Sequence, residues 1–78
     1  MRELVLTDDS VLVSYLEALL GSAGIDFTVL DRNVNALQGG AGRAPQRVLV
    51  PENRISEARA ILVEAGLEKW IVGWDNTT

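Results

Sequence analysis

The chain has 78 residues, a net charge of −4, and neither cysteine nor histidine. Those absences exclude a disulfide scaffold, a cysteine-bound zinc, a thiol nucleophile, a Ser-His-Asp triad and a histidine-ligated metal. The acidic balance argues against a nucleic-acid partner, since phosphate neutralisation needs clustered cations. With 47% hydrophobic and 23% charged residues, the composition fits one small globular domain. Such a domain buries only about 60% of its unfolded surface, so residues 1–75 are expected to form a single domain and 76–78 to fray. No apolar run has the length of a signal peptide or membrane span. A cytoplasmic address without a membrane partner is therefore expected.

The segment from Glu3 to Thr7 is short, partly β-branched and closed by acids, and reads as a strand. Asp8, Asp9 and Ser10 then offer N-caps for a helix. Leu12, Leu16, Leu19, Leu20 and Ala23 mark one face of that helix. Gly24 is placed to end it in a left-handed conformation, with Ile25 making the closing apolar contact. From Ile25 to Asp31 apolar and polar residues alternate, as in a half-buried strand. Residues 32–44 contain Asn33, Asn35, Gly39, Gly40 and Gly42, show no apolar period and read as a loop. Gln46 to Val50 is the third predicted strand, stopped by Pro51. Asn53 is the expected cap of a second helix, whose apolar face comprises Ile55, Ala58, Ile61, Leu62 and Ala65. Gly66 and Leu67 repeat the stop at Gly24 and Ile25, and Trp70 to Trp74 is a candidate fourth strand.

The halves echo each other: a strand, a capped helix, then Ala-Gly-Ile or Ala-Gly-Leu leading into another strand. Two such units predict an α+β, ferredoxin-like βαββαβ sandwich. Both helices should lie on one face of a four-stranded sheet. The expected order is 4-1-3-2, antiparallel except for a parallel pairing of the central first and third strands. On strict alternation, Leu4, Leu6, Phe27, Val29, Val48 and Val50 meet the helices. Val5, Leu30 and Leu49 then lie on the open face, joined by Trp70 and Trp74 if Ile71 points inward.

The candidate sites follow from this layout. The connection is longer than the usual hairpin loop, and such loops often carry function. Arg32, Arg43 and Arg47 bracket it and could grip an anionic ligand or a partner's carboxylate, while Gly39, Gly40 and Gly42 permit close backbone approach. A phosphate-binding loop is not indicated, because the run has no adjoining strand and helix and no Lys-Ser/Thr. Val5, Leu30, Leu49, Trp70 and Trp74 form an alternative, apolar interface, for which a homodimer is the default assembly. Asp8 and Asp9 are explained by capping rather than metal binding. No acid has an evident partner to tune it for proton transfer, so no catalytic residue, metal or cofactor is expected.

Glu3-Leu4-Val5, Asp8, Leu19-Leu20, Ala23-Gly24-Ile25, the glycine-containing central loop, Arg47-Val48-Leu49-Val50-Pro51-Glu52, Glu57-Ala58, Ile61-Leu62 and Gly66 together resemble a family of small bacterial domains. That family carries the label "putative prokaryotic signal-transducing proteins" and is grouped with PII-like, ferredoxin-like folds. The resemblance spans roughly residues 2 to 67 and rests mostly on core positions and structural glycines, which specify fold more than mechanism. It implies a regulatory role, with an unidentified partner protein or small anionic ligand contacted by the loop between strands two and three, as in PII proteins. PII proteins also bind nucleotide between subunits of a trimer, through a further loop after the second helix. Here only Leu67, Glu68 and Lys69 separate Gly66 from the last predicted strand, and no nucleotide-contacting residue carries over.

Overall fold

The computed structural model describes residues 1–31 and 45–74. Its elements are β1 (Arg2–Thr7), α1 (Ser10–Ser22), β2 (Thr28–Asp31), β3 (Gln46–Val50) and α2 (Ile55–Glu64), with 3-10 turns at Glu52–Arg54 and Glu68–Trp70.

Helix α1 begins where expected. Asp9 is its N-cap, and the Asp9 Oδ1 accepts from the backbone N–H groups of Val11 at 2.9 Å and Leu12 at 3.3 Å. These are donors that an uncapped helix leaves without partners. Helix α2 begins differently from the prediction. Asn53 is not its cap, because Pro51 starts a 3-10 turn in which the Arg54 N–H donates to the Pro51 carbonyl at 2.9 Å. The helix winds on from there at Ile55 with no side-chain cap.

The two helix ends are near-copies. Ile25 N–H donates to Leu20 O at 3.0 Å and Gly24 N–H to Gly21 O at 3.1 Å. Leu67 N–H donates to Leu62 O at 2.8 Å and Gly66 N–H to Val63 O at 3.0 Å. Gly24 and Gly66 hold φ of 74° and 77°, the left-handed geometry of a Schellman stop. The duplicated Ala-Gly-apolar signal thus corresponds to duplicated backbone geometry.

Among the described residues the sheet has three strands in the order β1-β3-β2, both pairings antiparallel. The expected parallel pairing of the first and third strands is incorrect. The crossover through α1 makes β1 and β2 run the same way, and β3 turns back from β2 and lies between them. It must therefore oppose both.

The fourth strand shrinks to a single bridge, Val5 to Ile71, on the outer edge of β1, with Val72 N–H donating to Leu4 O at 2.9 Å. This is the edge that the 4-1-3-2 order assigns to it. Glu68–Trp70 wind into a 3-10 turn before the bridge, and Gly73 at φ 76° bends the chain after it, which leaves no room for a longer ladder.

A β-bulge in β1 changes its facing. Glu3 pairs with Leu49 and Val5 with Val48, so Leu4 is an extra residue with no opposite number. Beyond it the alternation is shifted by one. Val5, expected on the open face, is fully buried, and Leu6, expected in the core, is 48% exposed. The core joins Leu4, Val5, Val48 and Val50 to Leu12, Val13, Leu16 and Leu20 of α1 and Ile55, Ala58 and Leu62 of α2, with Ile71 closing one end. Val5, Val48 and Val50 lie on one sheet face and share a single buried cluster with residues of both helices, so the helices lie on the same side of the sheet.

Candidate functional site

Cross-strand partners point to the same side of a sheet. The register Glu3–Leu49–Thr28 and Leu6–Arg47–Leu30 therefore defines the face opposite the helices. Leu6 and Leu30 are exposed there on either side of Arg47, while Leu49 is only 9% exposed beneath its neighbours. Arg47 Nε donates to Glu3 Oε2 at 3.0 Å. Of the two alternative site groups, this face keeps Arg47 from the first and Leu30 and Leu49 from the second. Val5 has moved to the core and has no place in an interface.

The pair Asp31–Gln46 is the last rung of the β2–β3 hairpin, and Thr7 pairs with Gln46 from the other side. The ends of the connection spanning residues 32–45 thus stand side by side, at the end of the sheet where β1 hands over to α1. Arg32, Gly39, Gly40, Gly42 and Arg43 lie outside the described residues.

Trp70 does not join the expected sheet-face patch. Ile71 does point inward, at 4% exposure, but the 3-10 turn carries Trp70 round to the N-terminal end of α1. There Trp70 lines an open groove of about 480 Å³ with Asp9, Val11, Leu12 and Tyr15. Trp74 is exposed beyond the bridge, its N–H donating to Ile71 O at 3.0 Å. Lys69 Nζ lies 5.7 Å from the Trp70 ring centre, within cation–π range. Sequence reasoning missed Val11 and Tyr15 because they fall off the apolar face of the helix. Their signal was their own spacing: two apolar residues four apart on the polar side are neighbours on the helix surface.

Electrostatic perturbation occurs away from these surfaces. Arg54 Nε donates to Glu57 Oε1 at 2.8 Å in the first turn of α2. That hydrogen bond holds the Glu57 carboxyl below its usual range and raises the Arg54 guanidinium further. Among the described residues there is no cluster of acids fit to hold a metal ion, and no helix long and apolar enough to cross a membrane.

A family model described as "Putative prokaryotic signal transducing protein" matches residues 1–66. The chain belongs to this family. The family match takes in both strand–helix units and ends at the second glycine stop. Trp70, one wall of the groove, lies beyond the family's matched span. No curated protein matches the chain.

Proposed function

We propose that the protein is a non-enzymatic, cytoplasmic regulatory module of PII-like type. It binds a partner protein or a small anionic ligand through the connection between β2 and β3. Membership of the signal-transducing family supports a regulatory role. The observation that carries the reading is the Asp31–Gln46 pairing, which anchors both ends of a long, glycine- and arginine-containing segment on a rigid sheet. A recognition loop held this way loses less entropy on binding than one with free ends. Arg32, Arg43 and Arg47 supply the charge, and Gly39, Gly40 and Gly42 the close approach.

A thermal-shift screen against nucleotides, phosphorylated metabolites and carboxylates tests this, because a ligand of the native state raises the melting temperature. A ligand that shifts wild type but not the chain with Arg32, Arg43 and Arg47 all changed to Ala supports the reading. No shift with any ligand, together with unchanged partner capture by the triple variant, overturns it.

The row Leu6–Arg47–Leu30 favours a second reading, self-association through the open sheet face. Light scattering across a concentration series tests it. A dimer that Leu30→Glu dissociates supports it, and a monomer at every concentration rules it out.

A further inference from the structure

The two margins of the sheet are finished differently. Outside β1, the Val5–Ile71 bridge and the bond from Val72 N–H to Leu4 O occupy the backbone. Outside β2, no backbone partner is present among the described residues. Alternate residues of an edge strand turn their N–H and C=O groups outward. Such groups are a template for another strand.

Nothing in β2 blocks that template. Thr28-Val29-Leu30-Asp31 contains no lysine and no proline, and its register with β3 runs without a bulge. Lysine, proline and bulges are the devices by which edge strands ordinarily refuse a neighbour. The side chains of this edge are also incompletely covered. Leu30 is 43% exposed on the open face. Phe27 and Val29 touch the core from the helix side yet stay only partly buried. Helix α1 packs mainly on β1 and β3, and α2 on β1, so β2 lies at the margin of the helical layer.

We propose that β2 pairs with β2 of a second copy, antiparallel about a two-fold axis at Val29, and so extends the three-stranded sheet to six strands. Outward backbone donors and acceptors select a strand as the occupant, and two features select this strand. A second copy brings its β2 already ordered, whereas a free peptide of this length loses its conformational entropy for a few backbone bonds. The residues are also self-complementary about Val29. A two-fold axis normal to the sheet keeps the helices of both copies on one side. Val29 then meets Val29 of the second copy on the helix side, a β-branched pair, and Thr28 meets Leu30 on the open side. Residues 28–30, at the centre of the contact, carry no charge. The strand is short, and stable dimers bury roughly 800 Å² per partner, so the pairing forms at high protein concentration. It is a different association from the face-to-face one above, because Leu6 and Arg47 stay uncovered.

The test is sedimentation velocity and amide hydrogen exchange on the full chain, from micromolar to millimolar concentration. The expected result is a reversible dimer, with added protection at amides of residues 28–30 as concentration rises. A sample mixed from isotope-labelled and unlabelled chains should show nuclear Overhauser contacts between the Val29 side chains of the two copies. Two charged double variants, Thr28→Lys with Leu30→Lys and Thr28→Glu with Leu30→Glu, should each raise the dimer dissociation constant about tenfold or more. An equimolar mixture of the two should pair again. These substitutions fall on exposed positions, so the fold, checked by circular dichroism, should persist. Leu6→Glu, which would break face-to-face packing, should leave this dimer intact. A monomer at every concentration overturns the proposal. So does a dimer that Leu6→Glu abolishes or that both charged variants keep, and so does a mixture of those variants that stays monomeric. A chain that remains monomeric yet binds a capped Phe27–Asp31 peptide also overturns it, because a partner's strand would then be the occupant.

Discussion

Arg47 reaches diagonally across the sheet to Glu3. Arg47 stands opposite Leu6 and Glu3 opposite Leu49, yet their side chains meet at 3.0 Å. Both are about one-third exposed, so water screens the pair and it stabilises the domain only modestly. Any anion bound by Arg47 competes with Glu3 for the guanidinium. A double-mutant cycle of Glu3→Ala and Arg47→Ala, read by urea denaturation, should give a coupling of about 0.2–1 kcal/mol that shrinks in high salt. If Arg47 is a ligand contact, Glu3→Ala should also tighten anion binding.

The bulge at Leu4 makes neighbouring positions respond oppositely. Leu4→Ala should cost about 2–5 kcal/mol, because it opens a cavity among fully buried neighbours. Leu6→Ala should fall within about 0.5 kcal/mol, because Leu6 is half exposed on the far side. Val5→Lys should abolish folding where Leu6→Lys is tolerated. Urea midpoints measure the first pair and circular dichroism the second. A Leu6→Ala cost as large as that of Leu4→Ala would mean strict alternation without a bulge.

The glycine stops should be sensitive to any side chain, for conformational reasons only. A Cβ added at Gly24 or Gly66 meets nothing within 4 Å, yet both have φ above 70°. Gly24→Ala and Gly66→Ala should therefore each cost about 1–2 kcal/mol, the penalty of left-handed backbone for an L-residue. The two losses should be similar and nearly additive, lowering the urea midpoint without changing the slope.

The Arg54–Glu57 contact predicts a small pH dependence of known sign. The hydrogen bond from Arg54 lowers the folded-state pKa of Glu57. Its contribution is therefore fully present above the unfolded pKa and is lost as pH falls through the lower, folded value. A carboxyl-carbon NMR titration should find Glu57 below the usual glutamate range, and Arg54→Ala should return it there. No change in the Arg54→Ala chain would mean that the contact does not form in solution.

Much of this architecture is legible in the sequence because local chemistry and global fold agree. Asp9, Gly24, Gly66 and Pro51 each have one conformational task, and each performs it. The alternation around Phe27 and Val29 likewise puts both against the core. The departures have both local and long-range origins: the 3-10 turn that starts at Pro51 displaces the Asn53 cap, and others come from how distant segments meet. The bulge at Leu4 arises from how β1 meets β3, and no residue type announces it, so strict alternation puts Val5 and Leu6 on the wrong faces. The fourth strand failed where Gly73 and a 3-10 turn outweighed the β-propensity of the tryptophans and Val72. The groove has no local sequence signature, because its walls, Tyr15 and Trp70, are 55 positions apart and meet only through the fold.

The bridge at Ile71 has a practical meaning for anyone shortening the polypeptide. It is the described contact that shields the outer rail of β1, including the Leu4 carbonyl and the flank of Val5. A version cut back to the matched family span, ending at residue 66, would bare that rail along a hydrophobic ribbon. Naked sheet margins recruit one another, so the trimmed product should clump where the longer one stays dispersed.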